Sequence, residues 1–230
     1  MNFWNQFLWI IYPYLMLTTF IVVHIYRYNT DQLAWTAKSS EFLEKKSLMW
    51  GSMLFHVGIV MVFFGHVAGL MIPKSFMESV GVSEHLYHAG AVYLGGLAGI
   101  MCLVGITILF LRRINVKRVR VTSTASDMLV AILILANVAL GVAMTLGYNM
   151  FGDGYDYRET ISPWLRGLLT FRPDASLMAE VPLFFQLHVI FSFAIFGIWP
   201  FTRLVHVWSV PLAYFKRSYI VYRSRNNHVA

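Results

Sequence analysis

The chain has 230 residues, of which 58% are apolar and 13% are charged, and its mean hydropathy is +0.61. Soluble domains carry about 25% charged residues, so this composition excludes most of them. The net charge is +7. Because the basic residues cluster between apolar stretches, this charge indicates membrane topology and gives no case for a nucleic-acid partner.

Five long stretches contain no Asp, Glu, Lys or Arg, and the shortest of them has 22 residues. About 20 apolar residues suffice to cross a bilayer. The sequence therefore predicts an all-α integral membrane fold with five transmembrane helices, spans 1 to 5, at about residues 4–26, 48–72, 88–111, 124–147 and 182–208. A tail follows over residues 209–230. The connection at about 149–180 is too short for a core of its own, so residues 1–230 are expected to form a single membrane domain.

The Lys and Arg residues are distributed unevenly over the two sides of the membrane. The ends of spans 1, 3 and 5 and the residues after them hold 14, and the opposite side holds four. Cytoplasmic loops are enriched in Lys and Arg, so the N-terminus is predicted outside and the C-terminus in the cytoplasm. Trp4 and Trp9 are expected to be interfacial anchors. Ser162 is expected to cap a short helix whose apolar face lies on the outer membrane surface.

Four histidines lie deep in the predicted spans, namely His56 and His66 in span 2 and His188 and His206 in span 5. Ionisable groups inside a membrane are costly and usually functional. A proton relay would normally show carboxylates, whereas a neutral imidazole can bind a metal without one. The single cysteine, Cys102, excludes disulfides and metal sites made of cysteines.

The predicted topology pairs these histidines across two helices. Spans 2 and 5 run in opposite directions, so His56 lies at the depth of His206 on the cytoplasmic side, and His66 lies at the depth of His188 on the outer side. Two axial imidazoles on a haem iron need nitrogens about 4 Å apart, which only these two pairings allow. His188 and His206 are 18 residues apart, which is about 27 Å of ideal helix, whereas the ten residues from His56 to His66 cover about 15 Å. A kink at Pro200 is therefore expected, because it would absorb part of this difference.

Glycines and arginines near these histidines are further candidates. Glycines of spans 2 and 3 would either leave room for a flat macrocycle or let the helices touch; they are Gly58, Gly65, Gly69, Gly90, Gly95, Gly96, Gly99 and Gly105. Arg203, three residues before His206, is expected either to pair with a haem propionate or to act only as a basic anchor. Arg112 is a second candidate for a propionate contact.

Four segments of the sequence resemble the gamma subunit of respiratory nitrate reductase, a dihaem cytochrome b. They are FHVGIVMVFFGHVAG in span 2, RVRVTSTASDML entering span 4, and LHVIF and PFTRLVHVWSVP around the histidines of span 5. The resemblance covers nearly the whole chain. It implies two b haems, with the inner iron bound by His56 and His206 and the outer iron by His66 and His188.

The resemblance also implies an electron path in a bacterial cytoplasmic (inner) membrane. Quinol dissolved in the lipid would be oxidised near the outer haem, and electrons would pass through the inner haem to a cytoplasmic iron–sulfur subunit and a molybdenum subunit that reduces nitrate. The tail from Pro211 to Ala230 is expected to dock the iron–sulfur subunit. A member of the resembled family has a lysine, thought to contact quinol, near the start of span 3, where this sequence reads SEHLYH. The candidates for quinol contact are therefore Gly65, His66, Gly69, His85 and His88.

Three alternatives stay open at the level of the sequence. A related dihaem anchor of a sulfur or heterodisulfide reductase would keep the haem ligands and exchange the soluble partner. A haem-free transporter would use the histidines as a proton relay, although the chain shows no internal symmetry of the kind common in transporters. A passive anchor would tolerate the loss of the histidines without losing quinol oxidation.

Overall fold

The computed structural model describes residues 2–31, 35, 40–152 and 154–209, and within these ranges it contains helices and no strand. Five helices are long and apolar enough to cross a membrane, which confirms the predicted number. Spans 1 to 5 have the bounds Phe3–Thr30, Lys46–Met71, Glu84–Asn115, Ala125–Tyr148 and Leu183–Phe201. The expected docking tail, from Pro211 onward, lies outside the described residues.

The connections gather at the two ends of the bundle. The long-loop end consists of residues 72–83, with a short helix at Lys74–Ser79, and residues 149–182, with a helix at Ile161–Leu169. The basic end consists of residues 40–45, 116–124 and 202–209. Side chains cap the helices at both ends: Ser83 accepts a hydrogen bond from the backbone at the start of span 3, and Thr124 forms a reciprocal capping box with Asp127 at the start of span 4.

The spans pack in the order 2, 3, 4, 5, 1, and spans 2 and 5 are not packed neighbours among the described residues. Glycines bring spans 2 and 3 together, since a Cβ at Gly58 would lie 2.8 Å from the backbone nitrogen of Cys102 and one at Gly105 would lie 2.8 Å from Cα of Phe55. Gly96 and Gly99 face side chains of span 4. These glycines serve helix contact, as one of the two interpretations of the sequence expected. The region where spans 2 and 5 face each other without packing together is called the cleft below.

The helix Ile161–Leu169 folds back into the bundle. Its N-cap position is Thr160, so the expected cap at Ser162 is wrong. Ser162 is fully buried instead, and its hydroxyl donates to the backbone oxygen of Gly69 at 3.0 Å. A polar side chain can be buried at this depth because the π-helical turn at the end of span 2 offers it an acceptor.

Two tryptophans hold this helix to span 1. Trp164 is 1% exposed, its indole donates to the backbone oxygen of Trp9 at 2.9 Å, and the two rings stand edge to face at 6.0 Å. Trp9 is 2% exposed. Its expected role as an interfacial anchor is therefore wrong, because the helix Ile161–Leu169 covers it; Trp4 remains exposed.

Span 5 ends differently from the continuous helix expected to residue 208. Its α-helix stops at Ile198, a 3₁₀ turn covers Trp199–Phe201, and Thr202 has an extended backbone with φ −121° and ψ 177°. A second 3₁₀ segment covers Arg203–Ser209. The chain therefore breaks after Pro200, where a kink was expected, and the segment that carries His206 is separate from the helix that carries His188.

Candidate functional site

The structure brings the four histidines together in the two pairs expected from the topology. The ring centres of His66 and His188 are 6.2 Å apart, and those of His56 and His206 are 6.1 Å apart. Both pairs lie across the cleft between span 2 and the chain of span 5. The imidazole planes differ, with an angle of 19° in the first pair and 68° in the second.

These separations suit a metal ion between two imidazoles. Twice a metal–imidazole bond of about 2 Å, plus about 1.1 Å from each ring centre to its bound nitrogen, gives about 6.2 Å. Among the described residues, no group of three or more His, Cys, Asp or Glu could hold a metal ion. A haem iron needs only two side chains, because the porphyrin supplies its other four ligands. The residues present therefore fit haem and do not fit a tetrahedral zinc site.

Hydrogen bonds orient all four imidazoles so that Nε2 is left to bind a metal. In all four rings Nδ1 is hydrogen-bonded to a backbone oxygen: His56 to Ser52 at 2.7 Å, His66 to Val62 at 2.8 Å, His188 to Asn137 at 3.0 Å and His206 to Arg203 at 2.7 Å. Donation from Nδ1 to a carbonyl places the proton there and leaves the lone pair on Nε2. Metal-binding histidines are oriented in the same way by their second nitrogen.

Span 4 fixes His188 through residues that sequence reasoning missed. The amide of Asn137 donates to the hydroxyl of Ser192 at 3.0 Å, and Ser192 donates to the backbone oxygen of His188 at 2.7 Å. A Cβ at Gly141 would lie 3.3 Å from the imidazole of His188. The signal available in the sequence was Asn137 itself, an amide in the middle of an apolar span.

Charged groups at the basic end surround one carboxylate. Asp127 is buried, and its two oxygens lie 2.7 Å from Nε of Arg203 and 3.3 Å from a guanidinium nitrogen of Arg113. Arg203 thus has a partner inside the chain, and Arg113 is a neighbour that sequence reasoning did not single out. Within the described part of the chain, the two guanidinium groups and the carboxylate carry a net positive charge near His206, which favours an anionic group there.

Arg112, the other predicted propionate contact, is engaged with the segment before span 2. It is 5% exposed, and four of its five N–H groups donate to Ser40 and Glu44. A hydrogen bond from Ser47, followed by those from Arg112, lowers the pKa of Glu44. Arg112 therefore anchors the segment 40–45 to the end of span 3.

The predicted quinol residues divide into two groups at the long-loop end. Gly65 borders open space, with no atom within 4 Å of its Cβ position, and it precedes the paired His66. His85 and His88 are both exposed at the start of span 3. The residue between them, Tyr87, turns inward instead, and a Cβ at Gly69 would lie 2.7 Å from its hydroxyl oxygen.

Four charged side chains form a cluster of salt bridges at the long-loop end. The ammonium of Lys74 lies 2.8 Å from Asp156, 2.9 Å from Glu84 and 3.1 Å from Glu159. These contacts, with Asp156 contributing most, raise the pKa of Lys74 above its usual range. The cluster joins the short helix after span 2 to span 3 and to the loop before the helix Ile161–Leu169.

Comparison with known proteins assigns a family to this arrangement. The family model described as nitrate reductase gamma subunit matches residues 5–225. The nitrate reductase gamma chain of Bacillus subtilis is 52% identical over 96% of this chain and 99% of its own length. The respiratory nitrate reductase 2 gamma chain of Escherichia coli is 37% identical over 96% of this chain and 97% of its own. The nitrate reductase-like protein NarX of Mycobacterium tuberculosis is 41% identical over 98% of this chain, which covers 35% of that protein.

Proposed function

Because the chain belongs to the nitrate reductase gamma subunit family, the membrane cytochrome b subunits of respiratory nitrate reductases, we propose that it binds two b-type haems in the cleft between spans 2 and 5. The inner haem lies between His56 and His206, and the outer haem lies between His66 and His188. The observation that carries this proposal is the facing of two imidazole pairs at 6.1 and 6.2 Å. When bound, the haems would carry single electrons.

The orientation proposed for the protein follows from its charges. The basic end faces the cytoplasm and the long-loop end faces outward, in a bacterial inner membrane. Quinol is oxidised at the long-loop end, where Gly65 borders open space next to His66 and the hydroxyls of two tyrosines lie against Gly69. The chain delivers the electrons at the basic end to an iron–sulfur subunit, and a molybdenum subunit reduces nitrate. Protons released outside and electrons moved inward together charge the membrane, at about 2.3 kcal/mol per charge and 100 mV.

The propionate contacts remain part of the proposal. Arg203 lies beside His206 in a region of net positive charge, which supports a contact with the inner haem. Arg112 has one N–H group beyond the four that Ser40 and Glu44 occupy. The arrangement therefore favours Arg203 as the stronger of the two predicted contacts.

The test is the reduced-minus-oxidised absorbance spectrum of the membrane complex carrying each single His→Ala substitution. Variants at His66 and His188 should lose the same haem, and variants at His56 and His206 should lose the other. His85→Ala, an exposed residue outside both pairs, is the matched control and should keep both haems. Full absorbance in all four variants would refute the ligand assignment.

Family membership, haem content and quinol-driven activity together separate the alternatives. Membership of the nitrate reductase gamma subunit family favours nitrate reductase over a sulfur or heterodisulfide reductase. A histidine-relay transporter would contain no haem in any preparation. In a passive anchor, the histidine variants would still support quinol-driven nitrate reduction.

A further inference from the structure

Two tyrosines meet at the inner edge of the long-loop end. The hydroxyl oxygens of Tyr87, on span 3, and Tyr157, in the loop after span 4, are 2.9 Å apart. Both contact Gly69, three residues after His66, at a place where any side chain would collide with them. The pair therefore stands beside the π-helical turn that continues span 2 from the outer histidine.

The tyrosine pair has more hydroxyl hydrogens than the hydrogen bond between the two oxygens uses. One hydroxyl donates to the other, so one O–H hydrogen remains, and no acceptor for it is present among the described residues. Burial, followed by the neighbouring Tyr87, raises the pKa of Tyr157 well above its usual range. The hydroxyl of Tyr157 therefore stays neutral, and a phenol hydroxyl can accept one proton while it donates another.

A buried arginine stands behind the pair. The guanidinium carbon of Arg158 lies 3.8 Å from the ring centre of Tyr87, and its side chain is 4% exposed. Its Nε is buried without a hydrogen-bond partner in the described part of the chain. The guanidinium lies 3.6 Å from Glu84, which pairs with Lys74. The guanidinium thus lies between the ring of Tyr87 and the carboxylate of Glu84 at the surface.

We propose that Tyr87 and Tyr157 form the proton outlet of the quinol site, in place of His85 and His88. This inference rests on the proposed function, because that function supplies the quinol and the acceptor of its electrons. The two histidines are exposed, whereas the atoms nearest to the Cβ position of Gly69 belong to the two tyrosines, whose hydroxyls bond to each other.

The transfer balances for each quinol oxidised. The quinol loses two electrons, one at a time, to ferric haem iron, and two protons to water outside, and it becomes a quinone. Each proton enters one tyrosine oxygen while that hydroxyl passes its own proton to the second tyrosine, which releases one to water or a surface carboxylate. Both tyrosines end neutral, and rotation of their O–H bonds resets the pair. The positive charge of Arg158 beside Tyr87 disfavours an extra proton on the tyrosine pair and so favours its release.

The experiment compares Tyr87→Phe and Tyr157→Phe with the wild type in membrane vesicles that contain the whole complex. Phenylalanine keeps the ring and removes the hydroxyl. Tyr155→Phe is the matched control, because Tyr155 belongs to the same loop and its hydroxyl bonds only to Thr160 among the described residues, at 2.6 Å. The rate of haem reduction by a short-chain naphthoquinol is measured per haem reducible by dithionite, in H₂O and in D₂O.

We expect both tested variants to slow quinol-driven haem reduction at least tenfold and to raise its solvent isotope effect, since a lost proton relay costs about 10² or more in rate. Nitrate reduction driven by reduced methyl viologen, which carries no proton, should stay within twofold. Wild-type rates and isotope effects in both variants, equal to Tyr155→Phe, would overturn the proposal. A wild-type complex that has no haem, or that quinol does not reduce, would instead refute the proposed function.

Discussion

Replacing Gly69 with alanine tests the packing of the long-loop end directly. The new Cβ would lie 2.7 Å from the hydroxyl oxygen of Tyr87 and closer still to that of Tyr157, whereas ordinary contacts begin at 3.4 Å. Alanine gains up to about 1 kcal/mol over glycine in a helix. Overpacking costs about 1–3 kcal/mol, and here two hydroxyls and the buried Ser162 resist movement. The net effect should be a loss of about 1 kcal/mol.

The assay is thermal unfolding of the purified complex, followed by the haem spectrum. A loss of about 1 kcal/mol lowers Tm by about 2–4 °C in a chain of this size. Gly90→Ala is the control, because no atom lies within 4 Å of its Cβ position, and it should leave Tm unchanged or raise it. Equal Tm values for the two variants would show that Gly69 does not touch the tyrosines and would refute the reasoning.

Three further predictions concern the basic end and the two histidine pairs. Asp127→Asn leaves Arg113 and Arg203 facing each other without the buried carboxylate, and it should destabilise the complex by about 3 kcal/mol and lower the content of the inner haem, as measured by unfolding and absorbance. In low-spin ferric haem the largest g value rises as the imidazole planes turn from parallel to perpendicular, so electron paramagnetic resonance should give the inner pair, at 68°, a larger value than the outer pair, at 19°. The lowered pKa of Glu44, due first to the hydrogen bond from Ser47, means that its contribution to stability is present above about pH 4.3 and is lost as pH falls through the folded pKa. Glu44→Gln should therefore make Tm less sensitive to pH in that acid range, and an unchanged slope of Tm against pH would contradict the assignment.

The sequence was sufficient for the five spans and for the pairing of the histidines. Runs without charge identify the helices that cross the membrane, because the cost of burying a charge there dominates every other preference. Helix direction and depth then pair His56 with His206 and His66 with His188, which the structure brings face to face. No knowledge of loop conformation is needed for either step.

The contacts that the loops make with the spans could not be predicted from the sequence. Trp9 has the position of an interfacial anchor, and only the return of Trp164 over 155 residues of sequence buries it. Tyr87 and Tyr157 are 70 residues apart, and neither has a local pattern that predicts their meeting. A kink was predicted at Pro200 because proline cannot donate a backbone hydrogen bond. The structure has a full break of the helix at Thr202, where the hydroxyl of Thr202 donates to the backbone oxygen of Trp199.

The interruption at Thr202 places His188 and His206 on separate structural elements. His188 sits on a continuous helix braced by span 4, while His206 sits on a seven-residue segment tied to the bundle through Arg203 and Asp127. In the complex that we propose, a soluble subunit bound at the basic end would contact the segment of His206 and would not contact the helix of His188. Binding of that subunit would then affect the proposed inner haem site more than the outer one.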